Sequence, residues 1–241
     1  MQPLSWHDFW PAAATSLFVP RLVIGAVAIF VLGALFGGFV GGPRPAATPG
    51  RAVAVKIVSG CWMAVTTLSL AWWLGIPLKE TALVPRAPLI SLAFAVGIGA
   101  AVAPVIVTGA RLQEMRRFYP EMRLTGSDCA GSSRTRWRLA MLAAWLMYLI
   151  GYEALFRGLL LPILTRELDL WPGMAVATGL YVLAHHDRPA VESLAAIPTG
   201  FVMAAITLTT GSFLAPLLLH WIIAAVNETT SAALAVAGSR R

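Results

Sequence analysis

Long uncharged apolar runs, separated by short polar breaks, set the pattern of this chain. Between Arg21 and Arg44 lie 22 residues without a charge, between Lys56 and Lys79 another 22, and between Arg86 and Arg111 there are 24. Each exceeds the roughly 20 residues a helix needs to cross the hydrocarbon of a bilayer. A fourth apolar block, Leu139 to Leu164, has the length but contains Glu153 and Arg157. The fifth, Leu170 to His186, is 17 residues long, at the lower limit for a span. The sixth runs 35 residues from Ser193 to Asn227, too many for one helix at about 1.5 Å per residue, and Gly211-Ser212 is its natural break. The pattern predicts an all-α, polytopic transmembrane helical bundle of seven spans, or eight if the Trp-rich N-terminus inserts. The roughly ten-residue alternation of a membrane barrel is absent.

Composition agrees with the pattern. Of 241 residues 58% are hydrophobic and 12% charged, against about 25% charged in soluble domains, so a water-soluble globule is excluded. Disorder is excluded by the same richness in Leu, Val, Ile and aromatics. No basic stretch precedes the first apolar residues, so the N-terminus does not read as a cleaved signal; Trp6, Phe9 and Trp10 are expected to anchor at the interface.

The net charge of +7 invites a nucleic-acid reading, but its distribution says otherwise. Seven basic residues fall in one loop, 111–138. With the loop 41–56, Arg188, Arg240 and Arg241 on the same side, that side holds 13 Lys and Arg; the other holds Arg21, Lys79, Arg86 and Arg166. This asymmetry places the basic loops and the C-terminus in the cytoplasm, and nucleic acid is not an expected partner. Cys61 lies in a span and Cys129 in the basic loop, which offers no disulfide framework. Three parts follow: scaffold helices over 1–110 with no polar group that demands explanation, a basic loop over 111–138, and a chemically distinct region over 139–241.

That last region gathers ionisable residues where they are costly. Intramembrane charges usually face a protein interior or a wet cavity. Glu153 and Arg157, four apart, share a helical face and can pair. Gly151 and Gly158 beside them would let another helix approach. His185 and His186 end the fifth apolar block, Arg188 and Glu192 follow, and His220 lies in the seventh span. A carboxylate beside a neutral imidazole in a partly dry pocket can activate water, although a pair fixing helix packing and a histidine bonded to a backbone carbonyl account for the same residues one at a time. His186 points about 100° away from His185 and reads as a bystander.

The segment Tyr152-Glu153-Ala154-Leu155-Phe156-Arg157-Gly158 resembles the glutamate–arginine motif of the CAAX-protease and bacteriocin-processing family of glutamic intramembrane endopeptidases. Tyr181-Val182-Leu183-Ala184-His185 is similar to that family's aromatic–histidine motif, and Gly200 to His220 to its last motif. The resemblance covers about residues 138 to 230. It implies a catalytic carboxylate at Glu153, an orienting Arg157, a water-holding His185 and an oxyanion-stabilising His220, with Tyr181 in support and no cofactor or metal. The first glutamate of the family's usual pair is Tyr152 here, and the asparagine expected four residues after His220 is Ala224, with Asn227 the nearest substitute. The run from His185 to Glu192 resembles a single-glutamate branch in which Glu192 replaces the missing carboxylate. The implied activity is hydrolysis of a peptide bond in a membrane-anchored protein or peptide, in a multi-pass protein of the bacterial inner membrane. A catalytically inactive relative acting as an immunity or peptide-binding protein is the alternative. A zinc protease lacks HExxH, and a transporter lacks a repeat relating the two halves.

Overall fold

The computed structural model of the chain describes residues 18–41, 48–122, 124 and 131–238. Trp6, Phe9, Trp10, Cys129, Arg240 and Arg241 lie outside the described residues, and with them the expected N-terminal anchor and eighth span. The order of elements is α1 (Phe18–Gly41), α2 (Pro49–Trp73), a single 3-10 turn (Leu78–Glu80), α3 (Pro88–Gly109), α4 (Gln113–Phe118), α5 (Gly131–Glu153), a π-helical stretch (Ala154–Leu160), α6 (Leu161–Glu167), α7 (Leu170–Leu183), α8 (Ala190–Thr210) and α9 (Leu214–Gly238). No strand occurs among the described residues. The helices α2, α3, α5 continued into α6, α8 and α9 are long and apolar enough to cross a membrane; α7 and the stretch Pro20–Leu32 of α1 are apolar but shorter. The chain is thus a multi-pass helical membrane protein.

Boundaries follow local chemistry. The Thr48 hydroxyl accepts from the Arg51 N–H and Pro49 occupies the first turn, so α2 starts seven residues before Lys56. Gly211 adopts φ of +62° and ends α8, which is where the sixth apolar run was expected to break. The fourth expected span begins earlier and ends later than its apolar block, as one rod from Gly131 to Glu167.

That rod is the axis of the bundle. Every residue from Gly151 to Leu161 is buried, as expected of a helix surrounded on all sides. Helix α2 packs along α5, α1 along α2, and α9 along α3 and α5. The α2–α5 contact is backbone to backbone: a Cβ on Gly60 would sit 2.2 Å from the Met147 carbonyl oxygen, and one on Gly151 would sit 2.2 Å from the Gly60 carbonyl oxygen. Gly151 therefore admits a neighbouring helix, as expected; Gly158 instead faces Leu83 in the loop after the 3-10 turn. Large apolar side chains such as Leu89, Val105, Trp72 and Trp171 point outward, where lipid would cover them.

The π-helical stretch has a cause in Pro162. An α-helical carbonyl at Gly158 would need the N–H of residue 162, which proline lacks, and the ring would crowd that carbonyl. The Gly158 oxygen is taken instead by the Ala82 N–H at 2.9 Å, and the Ala82 carbonyl accepts from the Phe213 N–H at 2.9 Å. The widened turn carries Arg157 and follows directly on Glu153.

The expectation that the first 110 residues hold no polar group needing explanation is overturned by Lys56. It is 4% exposed, two turns inside α2, with its ammonium 2.7 Å from Glu121 and 3.4 Å from the Trp145 ring centre. Lys56 reads in sequence as the end of a charged loop; the early start of α2 carries it into the bundle.

Candidate active site

Glu153 closes α5 at the centre of the bundle and is fully buried. Its Oε1 is 2.6 Å from Nδ1 of His220 on α9, and its Oε2 lies 3.6 Å from the Arg157 guanidinium. A carboxylate oxygen accepts, so His220 Nδ1 carries the proton of that bond. The pair with Arg157 is an ion pair beyond hydrogen-bond distance. Arg157 is also held by stacking, its guanidinium carbon 3.9 Å from the Tyr181 ring centre, and it donates to the Met203 sulfur at 3.8 Å. Opposite charge and aromatic face together keep a guanidinium in a dry core.

His185 follows α7. Its Nδ1 is 2.9 Å from the Tyr181 carbonyl oxygen, which can only accept, so this nitrogen holds the proton and Nε2 keeps its lone pair. The Tyr152 hydroxyl oxygen lies 3.3 Å from the same Nδ1, placed to take a secondary share of that proton. The His185 and His220 rings lie nearly parallel, 18° apart with centres at 6.3 Å. His186 is exposed, and its Nδ1 lies 3.2 Å from the Leu183 carbonyl oxygen.

A cavity of about 400 Å³ opens beside these rings, and Tyr152, Tyr181, His185, Glu192, His220 and Asn227 all line it. Glu153 and Arg157 do not line it; they stand behind His220 and Tyr181. Among the residues lining it, Glu192 is the one carboxylate. Asn227, two turns beyond His220 on α9, is buried, and its Oδ1 has no hydrogen-bond partner among the described residues. Ala224 lines the cavity between them.

Glu192 sits in the first turn of α8, after Pro189 has broken the chain away from His185. Both its oxygens accept from the Tyr119 hydroxyl, at 2.8 and 3.1 Å. Burial pushes the Tyr119 phenol well above its ordinary value, so it stays a donor throughout the working range. Arg188 donates to the Tyr119 oxygen at 3.0 Å and pairs with Glu121, which also holds Lys56. Glu228 accepts from the backbone N–H groups of Glu121 and Met122 at 3.2 and 3.4 Å. The Ser193 hydroxyl donates to the His185 carbonyl at 2.7 Å, joining the turn to α8.

The five residues expected to carry chemistry therefore fall into two sets around one cavity. Glu153 is hydrogen-bonded to His220 and ion-paired with Arg157, with His185 facing the group, whereas Glu192 belongs to an outer network. Sequence reading missed Tyr119, Glu121, Lys56 and Glu228. Their only sequence signal is charge or a phenol near an apolar boundary, which surface residues share. Among the described residues, no group of three or more His, Cys, Asp or Glu side chains is placed to hold a metal ion.

Residues 134–226 match the family model described as type II CAAX prenyl endopeptidase Rce1-like. No curated protein and no solved structure matches the chain. The matched segment contains Glu153, Arg157, His185, Glu192 and His220, the residues that meet at or directly behind the cavity. Those 93 of the 241 residues are thus similar to an Rce1-like CAAX prenyl endopeptidase domain.

Proposed function

We propose that this chain is an intramembrane endopeptidase that hydrolyses a peptide bond of a membrane-anchored protein or peptide with a water activated by carboxylate and imidazole. The observation that carries the reading is the meeting of His185, His220 and Glu192 at one cavity, with Glu153 bonded to His220 from behind. His185 Nε2, free to accept because Nδ1 is engaged, holds the attacking water. Glu192 takes one proton from it, and the water oxygen forms the new bond to the scissile carbonyl carbon. Glu153 acts through His220: its carboxylate accepts the Nδ1–H and fixes the ring, which, when it carries a proton on both nitrogens, donates its Nε2–H to the developing oxyanion, a contact worth a few kcal/mol. Arg157 holds the Glu153 carboxylate in place by their ion pair. The proton on Glu192 passes to the leaving nitrogen as the carbon–nitrogen bond breaks. Because backbone in a helix is shielded by its own hydrogen bonds, the cleaved segment is one that enters the cavity unwound.

A non-catalytic, peptide-binding role has one observation in its favour, the phenol of Tyr152 where the family's first glutamate stands. One experiment separates the two. Membranes expressing the chain or its Glu153→Gln variant are compared for new termini in membrane-anchored proteins by mass spectrometry. The parent should generate a set of termini that the variant reduces by about 10²–10³-fold, the usual loss when an oxyanion donor is disabled. Identical sets from well-folded parent and variant would overturn the hydrolytic reading.

A further inference from the structure

The N-terminal helices bury a charge that the proposed reaction does not use. Lys56 lies outside residues 134–226, and so do Tyr119, Glu121 and Glu228. An ionisable residue inside a membrane helix is costly and, where it persists, points to function. An ion pair that only fastened α2 to the segment after α4 would serve stability no better than packed apolar side chains of the same volume.

Lys56 reaches the catalytic cavity by two routes. Its ammonium lies 2.7 Å from Oε2 of Glu121, whose Oε1 accepts from Arg188. The same Arg188 nitrogen donates to the Tyr119 oxygen at 3.0 Å, and the Tyr119 hydroxyl donates to Glu192. Lys56 thus occupies the oxygen that a two-pronged pair between Glu121 and Arg188 would need, and the guanidinium stays shared with Tyr119. Glu121 is fixed by its own backbone, since its N–H and that of Met122 donate to the Glu228 carboxylate at 3.2 and 3.4 Å. By the second route the ammonium lies 3.4 Å from the Trp145 ring centre and 4.9 Å from that of Tyr148, and both rings line the cavity. We propose that Lys56 is a positioning residue for Glu192: it keeps Arg188 on Tyr119, and so the Tyr119 hydroxyl on Glu192, and its charge offsets the carboxylates of Glu121, Glu228 and Glu192. The inference rests on the reading of Glu192 as the base that takes the water's proton. The helices before residue 134 thereby supply part of the reaction's geometry.

The test uses the full chain in detergent and follows thermal unfolding of the parent, Lys56→Met, Glu192→Gln and the double variant. In the parent, Glu192→Gln should move the midpoint little, since the amide oxygen still accepts from Tyr119. In the Lys56→Met background the same change removes a negative charge from a cluster that has lost a positive one, and should raise the midpoint by about 2 °C or more. An equal or opposite shift overturns the proposal, because a pair that only packed helices would leave the effect of Glu192→Gln the same in both backgrounds. Should Lys56→Met lose its transition, the double variant decides: a transition regained supports the proposal, and none overturns it. In membranes, Lys56→Met should slow the appearance of new termini about threefold or more per folded molecule, and an unchanged rate overturns the positioning role. The unfolding cycle does not use proteolysis, so a parent that makes no termini refutes the reaction and leaves the cycle to decide the coupling.

Discussion

The deep cluster around Glu153 and the outer cluster around Glu192 serve the same cavity, yet they are tied together by different means. The deep one has a single buried carboxylate, shared between one half-buried imidazole and one buried guanidinium. The outer one is a chain of partners, Lys56 to Glu121 to Arg188 to Tyr119 to Glu192, drawn from α2, the segment after α4, the turn before α8 and α8 itself. A group with few partners fails wholly when one is removed; a chain shares the loss. The comparison teaches that burial alone does not rank these residues, because the number of alternative partners does.

The sharpest way to break that contrast is Arg157→Ala. It removes the ion-pair partner of a fully buried carboxylate, and a cost of about 3–5 kcal/mol is expected, with activity lost as well. Thermal or denaturant unfolding of the purified variant measures it, and a stable, active protein would remove the ion pair from the account. Glu192→Ala comes next: turnover should fall by about 10²-fold while the unfolding midpoint stays near that of the parent, because Tyr119 keeps Arg188 as a partner. A variant that turns over at the parent rate would leave Glu192 a structural acid. The smallest effect belongs to Tyr119→Phe, which removes one donor from Glu192 and keeps the ring. About tenfold in turnover and about 1 kcal/mol in stability are expected, and turnover unaffected by this change would mean that Glu192 is aimed by other groups.

The same contrast explains what the sequence made legible. Glu153 and Arg157 are four apart on one helix and His185 and His220 interrupt apolar runs, so each announces itself locally. The helices were legible for the same reason, as uncharged runs of spanning length. Lys56, Glu121 and Glu228 carry no such mark: their partners are 65 or more positions away, and a charge near the end of an apolar run is what any solvated loop supplies. Tyr152 was legible only as the departure from a motif; that its hydroxyl lies against His185 depends on the rotation of α5 against α7, which no spacing encodes. The expectation of a featureless N-terminal scaffold failed at Lys56 because a helix start moved by seven residues changes a loop charge into a buried one.

The substitution of backbone partners at Pro162 reaches further than the widened turn it creates. The carbonyl of Gly158 holds the N–H of Ala82, and the carbonyl of Ala82 holds the N–H of Phe213, so the axial rod, the loop before α3 and the corner between α8 and α9 are fastened at one point. A clasp written in main-chain atoms is blind to side chains. Positions 82 and 213 can change their side chains without loosening it, within the room their neighbours leave. Position 162 cannot change so freely, because any other residue restores an N–H that competes for the Gly158 oxygen. The far end of the bundle is thereby specified by the one imino acid that withholds a hydrogen.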